Sequence, residues 1–148
     1  MNLIYLLVHY GDYKVFGKVV GPDLRRRARV AGHETDYEHR HHVYICQLLE
    51  CDYQGADDCE AMLEEIARVE RGEKKSAMGS GNAWTTMATV EGVQIDSHTV
   101  PWWDEQPEGR FTLAEFKVAL EGWKRFLQMP MSLESRLEIT LPDPDATL

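Results

Sequence analysis

The chain has 148 residues, 43% of them apolar and 28% charged, with a formal net charge of −9. That length supports one hydrophobic core without metal or disulfide staples, and that balance excludes an intrinsically disordered chain. An excess of acid on this scale disfavours nucleic acid and membrane surfaces as partners and favours basic ones through long-range steering.

The acidity is unevenly placed. Residues 46–73 carry nine acids against Arg68 and Arg71, and residues 91–121 carry seven against Arg110 and Lys117. Residues 11–45 are the reverse, with five acids against Lys14, Lys18, Arg25, Arg26, Arg27, Arg29 and Arg40. Solubility alone accounts for many acidic surfaces, so the position of the charge says more than its sum.

The apolar run Leu3 to Val8 is short, with no basic segment before it and no small-residue cleavage site after it, and does not read as a signal peptide. No stretch approaches the length of a membrane-spanning helix. Cys46, Cys51 and Cys59 are an odd number without a CxxC pair. They read as reduced thiols of a cytoplasmic protein.

In chain order, Leu3 to Tyr10 and Lys14 to Val20 are β-prone runs around Gly11-Asp12 and predict a hairpin, closed by Gly21-Pro22-Asp23. Residues 24–40 are polar and aperiodic, which predicts a loop. His41 to Glu50 contains Val43, Tyr44 and Ile45 and predicts a third strand. From Asp58 to Arg71, Cys59, Met62, Leu63, Ile66 and Val69 recur at helical spacing, with Asp57 as expected N-cap, Glu60 completing a capping box and Gly72 as the stop. Glu64 and Arg68 stand at the favourable i,i+4 spacing on the opposite face. After a connector, Asn82 to Val90 and Val93 to Thr99 predict a second hairpin about Glu91-Gly92. Its return strand alternates, Val93, Ile95 and Ser97 inward against Gln94, Asp96 and His98 in solvent. Thr112 and Glu115 form a capping box between Phe111 and Phe116, and the helix they open carries Ala119, Leu120, Trp123, Phe126 and Leu127 before Pro130. Arg136 to Leu141 predicts a last edge strand. The expected fold is α+β: one domain, residues 1–148, with an antiparallel β-sheet of about five to six strands covered by two amphipathic helices.

No catalytic constellation emerges. His39, His41 and His42 are metal-ligand types, but on a strand His42 points away from the other two and Arg40 repels a cation, so no metal site is expected. A general-acid role for one of them, with Arg27 or Arg29 holding a phosphate, is the best enzymatic reading, and surface histidines beside a strand are the plainer one. The cysteines sit on or beside apolar stripes, where the residue packs as a small hydrophobe. Gly79-Ser80-Gly81 lacks both the GxSxG elbow and the Walker lysine and reads as a flexible turn. The arginine run Arg25 to Arg27 has no adjacent aromatic stacking pattern in the sequence, against a nucleic-acid surface.

The segment 100–108 is different, because it sets Trp102 and Trp103 among Asp104, Glu105 and Glu108. Tryptophan ringed by polar groups is the composition of a binding hot spot, while rings folded back onto the core are the competing reading.

Several short features then fall in one order between residues 58 and 128. An acidic helix ends in Arg71-Gly72-Glu73, followed by Gly81-Asn82-Ala83-Trp84, then Glu91-Gly92-Val93, then Phe111-Thr112-Leu113 with Glu115-Phe116, and a helix with Leu120, Trp123, Phe126 and Leu127. This half of the chain resembles small bacterial immunity proteins that accompany contact-dependent growth inhibition and related polymorphic toxins. The resemblance implies a cytoplasmic, non-enzymatic protein without cofactor that binds the C-terminal toxin domain of its cognate effector, often a nuclease, and blocks its active site. A nuclease needs a basic cleft for phosphates, and an acidic surface fills such a cleft as a substrate mimic. On that reading the partner-binding residues are Asp52, Asp57, Asp58, Glu64, Glu65, Asp104, Glu105 and Glu108, with Trp102 and Trp103 as anchors. The alternatives are a small metal-free RNA-processing enzyme using the His39, His41 and His42 region, or a housekeeping adaptor.

Overall fold

The structure is a computed structural model, and it describes residues 1–81, 83–99 and 105–144. Seven strands and three α-helices occur among the described residues, and the strands form two antiparallel sheets rather than one. β1 (Asn2–Val15) pairs with β2 (Lys18–Val30) on one side and with β7 (Arg136–Thr140) on the other. The second sheet runs in the order β3 (Ala77–Ser80), β4 (Trp84–Thr89), β5 (Gly92–Ser97) and β6 (Arg110–Phe111). The helices are α1 (Gln47–Asp52), α2 (Ala56–Glu70) and α3 (Leu113–Leu127).

The first hairpin is longer than the sequence suggests. Its turn is Phe16-Gly17, both at positive φ between the paired Val15 and Lys18, the mirror-image turn that matches strand twist. Gly11 instead sits in a bulge, where Tyr10 and Gly11 oppose Asp23 alone, and a second bulge falls at Val20. β2 runs on through Pro22 to Val30, so residues 24–30 are strand and not loop.

His41 to Glu50 is helical, not a strand. A π-helical segment, His41–Cys46, leads into α1. The buried positions are 41, 42, 44, 45, 46, 48 and 49, while Val43, Gln47 and Glu50 are less buried, a spacing of three to four residues. Only Val43 and Ile45 in this run are β-branched, so tertiary burial at helical period overrides a short β-prone stretch.

α2 begins two residues earlier than expected. Gly55 holds the cap position and donates its N–H to Asp58 Oδ2 at 3.0 Å, so Asp58 closes the box that Glu60 was expected to close. At the other end Gly72, at φ 78°, donates to Val69 O, and Glu73 N donates to Arg68 O, a Schellman stop. Arg68 pairs with Glu65 and Glu73 rather than with Glu64. α3 opens as expected, with Glu115 N donating to Thr112 Oγ1 at 3.0 Å and Thr112 N to Glu115 Oε1 at 2.9 Å.

One cluster of buried side chains joins the inner faces of both sheets to the helices. α2 packs on α3 and on β3 and β4, and α3 lies against β1 and β7 and reaches β5. Tyr5 stands at the centre, with its hydroxyl donating to Ala119 O at 2.9 Å and its ring edge-on to Trp123 at 5.0 Å. Trp123 Nε1 donates to Tyr53 O at 2.6 Å and ties α3 to the end of α1. Gly122 permits this approach, since a β-carbon there would stand 2.9 Å from Ile139 and 3.2 Å from Tyr5.

Candidate interaction surface

The four-stranded sheet has one face in the core and one outside it. Ala77, Ala88, Val93 and Phe111 lie across one inner row, all buried. Met78, Met87, Gln94 and Arg110 form the neighbouring outer row, and Ser80, Thr85 and Asp96 the next. Met78 is 64% exposed and Met87 43%, which is unusual for flexible thioethers that pack well in cores.

The outer face was expected to be solvated along β5, and at Gln94 and Asp96 it is not. Both are buried, because the segment around Gln106 folds over them. Gln94 Nε2 donates to Asp96 Oδ1 at 2.9 Å and to Gln106 O at 2.8 Å, and Gln106 N donates to the same Asp96 oxygen at 2.9 Å. Tyr44 donates its hydroxyl to Gln106 Oε1 at 2.8 Å. Gly109 then passes against β5 so closely that a β-carbon would stand 1.8 Å from Ile95 O. A buried polar cluster bonded in this way fixes one arrangement of the segment.

Two open clefts share Met78. One, of about 300 Å³, lies between the end of α1, the start of α2 and β3, and is lined in part by Asp52, Tyr53, Asp58, Met62 and Glu65. The other, of about 480 Å³, is lined by Met78, Thr85, Met87, Gln94, Asp96 and Glu105. Asp52 packs its carboxylate against Gly81, where a β-carbon would come within 2.2 Å of it. Burial pushes the Asp52 carboxyl above the usual carboxylate range, and His98 opposes that rise only partly. Glu65 is held below it by Lys74 and Arg68.

Of the expected partner-binding residues, the structure therefore brings Asp52, Asp58 and Glu65 to one cleft and places Glu105 in the other, with Met78 common to both. Asp57 and Glu64 are exposed on α2 but line neither cleft, and Glu64 acts on Lys124, which bonds Glu60. Glu108 lies in a 3-10 turn, Pro107–Gly109, where Arg40 Nε donates to its backbone carbonyl at 3.1 Å. Trp102, Trp103 and Asp104 lie outside the described residues. Met78, Met87 and Gln106 were missed. The alternation of β4 already put Met87 outward, but nothing in the sequence marks Gln106 as a clamp.

The histidines are not on a strand surface. His41 and His42 are buried at the start of the helical segment. The rings of His33, His39 and His41 meet in tilted contacts, at 5.0 Å for the first pair and 5.4 Å for the second, and His41 Nε2 lies 3.8 Å from Glu115 Oε2. Burial pushes His39 down, reinforced by His41 and His33, and burial followed by Arg29 does the same to His42. Among the described residues no group of three His, Cys, Asp or Glu is placed to hold a metal ion. Cys46 and Cys59 are buried, and burial pushes the Cys59 thiol up to about 12, so both pack as small hydrophobes. Gly79 and Ser80 belong to β3.

The arginines of β2 do have aromatic neighbours, from distant parts of the chain. Tyr10 lies beside Arg25 and Arg27, at 4.7 and 5.1 Å from its ring centre, and Arg29 lies 5.6 Å from that of Tyr37. Arg25 pairs with Asp23 at 3.0 Å and Arg29 with Glu50 at 2.8 Å. No helix among the described residues is long and apolar enough to cross a membrane. Compared with protein-family models, curated proteins and solved structures, the chain matches none.

Proposed function

We propose that the chain is a binding protein that holds a basic protein partner against the outer face of its four-stranded sheet. The observation that carries this reading is the exposed Met78, shared by a cleft with Asp52, Asp58 and Glu65 and by a second cleft with Met87 and Glu105. Exposed apolar side chains supply the contact energy of such a surface, and the acids around them supply rate and selectivity. Asp52 supports the reading further, since it lines the cleft as an acid although burial pushes its carboxyl above the usual carboxylate range, and such a perturbed acid marks a site of use.

Joined to the resemblance in residues 58–128, the partner is a toxin domain, a nuclease whose basic cleft the acidic face covers, and the chain is its immunity protein. The test is titration calorimetry with the purified C-terminal domain encoded by the adjacent reading frame. Binding that weakens at least about tenfold in Asp58→Lys and in Glu105→Lys, with restored nuclease activity, supports the proposal. Binding indifferent to both reversals, or no binding, overturns it. The enzymatic reading draws less support, because the His41 ring packs against Phe111 and Glu115 and is buried.

A further inference from the structure

Every residue from His9 to Val20 is exposed, so the end of the first hairpin is a two-stranded arm uncovered on both faces. Such a ribbon is marginally stable in water on its own. This one nevertheless sets Tyr10, Tyr13, Val15, Phe16, Val19 and Val20 in solvent. Phe16 is the extreme case: its side chain is fully exposed, and its φ of 51° is a conformation that bulky residues avoid. Asparagine there would make Asn-Gly, the favoured pair for this turn, and would remove the exposed ring. The fold has no need of phenylalanine at that position, and a residue kept against both conformation and hydration points to a contact.

The arm does not offer its backbone. Two bulges, Pro22 and the lysines Lys14 and Lys18 are the devices by which edge strands resist pairing. It presents side chains instead: an aromatic tip bracketed by Lys14 and Lys18, rooted beside Arg25 and Arg27. The complement of that tip is an apolar surface bordered by acids. The chain itself carries one: Met78 and Met87 line a cleft with Asp96 and Glu105, and Met78 also borders the neighbouring cleft that holds Asp52 and Asp58.

We propose that the arm of one copy docks on the outer face of the four-stranded sheet of a second copy. Phe16 lies on the paired Met78 and Met87, where thioether sulfur packs favourably on an aromatic ring, and Lys14 and Lys18 face the acids of the two clefts, Asp52, Asp58 and Glu105. Reciprocal docking closes a pair, whereas one-way docking propagates an open chain. The inference rests on the same face as the proposed function and adds its regulation: a docked arm and a basic partner exclude one another.

Sedimentation velocity of the full chain alone, over a dilution series at low salt, reads this directly. The expected result is association that rises with concentration. It weakens at least about tenfold in Phe16→Asn, which preserves the turn, and in the double variant Lys14→Glu with Lys18→Glu. Mixing that double variant with a chain carrying Asp58→Lys and Glu105→Lys restores association, because the charges are then exchanged. A wild-type chain that stays monomeric, or Phe16→Asn that associates as wild type does, overturns the proposal. So does a monomeric chain whose arm holds it to phosphatidylserine vesicles. None of these results touches the partner titration, so a monomer that still binds its basic partner removes the arm and leaves the proposed function standing.

Discussion

The side chain of Gln106 does for Ser97 what a neighbouring strand would do. Ser97 N donates to Gln106 Oε1 at 3.0 Å, and Gln106 Nε2 donates to Ser97 O at 2.8 Å. β6 pairs only with Val93 and Gln94, so β5 continues beyond its last partner and the amide completes the ladder. Replacement by alanine leaves the buried Ser97 backbone and the Tyr44 hydroxyl without these partners. Gln106→Ala is expected to lose about 2–3 kcal/mol in urea unfolding, and a loss below about 0.5 kcal/mol would remove the clamp from this account.

Gly109 is expected to tolerate nothing larger than hydrogen. The atom an alanine would strike is a backbone oxygen of β5, which cannot rotate aside as a side-chain end can. Gly109→Ala should cost more than about 3 kcal/mol, as overpacking against a rigid neighbour does. Thermal unfolding that matches wild type would show that the segment moves freely.

Asp52→Asn should separate stability from binding. Burial raises the Asp52 carboxyl, so folding disfavours its ionised form relative to its neutral one. Removing the charge is expected to raise Tm while weakening the basic partner's affinity. A fall in both quantities would mean that Asp52 is a structural acid.

Acid should destabilise the protein from near neutrality. His39 and His42 have folded-state pKa values pushed below the ordinary value of about 6.5, so the unfolded chain binds protons first and stability falls as pH drops below about 6.5. Glu115 acts lower on the scale. Its burial favours the neutral form, but His41 and the Thr112 bonds outweigh that and hold it below the carboxylate range. Its contribution is present above the unfolded value of about 4.3 and is lost as pH falls through the folded one. Calorimetric Tm should therefore decline between about pH 7 and pH 5, and less steeply in His42→Leu. A Tm that is level across that range would contradict the sign.

Where local chemistry and tertiary burial agree, the fold was legible in the sequence. Thr112 with Glu115, Gly72, and the stripe of α2 are read from residues within one turn of each other, and the structure has them. The second hairpin came out with its turn at Val90-Glu91, one residue early, because Thr89 pairs with Gly92. The failures share a cause. Gly11-Asp12 looks like a turn by itself, and only the register with Leu24 and Pro22 makes it a bulge. Val43 to Ile45 looks like a strand until the burial of His41, Leu48 and Leu49 imposes a helical period. At the candidate surface, Asp52, Asp58 and Glu65 were visible as acids. Their meeting with Glu105 through Met78 depends on how α2 lies on the sheet, which no local pattern encodes.

The clamp between Ser97 and Gln106 also bears on how such a protein diversifies. The two residues that bracket the interval 98–105 are tied to each other by that pair of bonds, while within it His98 is held to the body by its N–H on Ala83 O at 2.8 Å and by its ring on Thr85. Where two ends are already joined, a change of length between them costs little, because closure entropy grows only slowly with length. On the proposed function, exchanging Glu105 changes what the molecule recognises and removes neither bond of the clamp. A change of partner written at Glu105 therefore keeps the same body, and a designer can vary that position for the same reason.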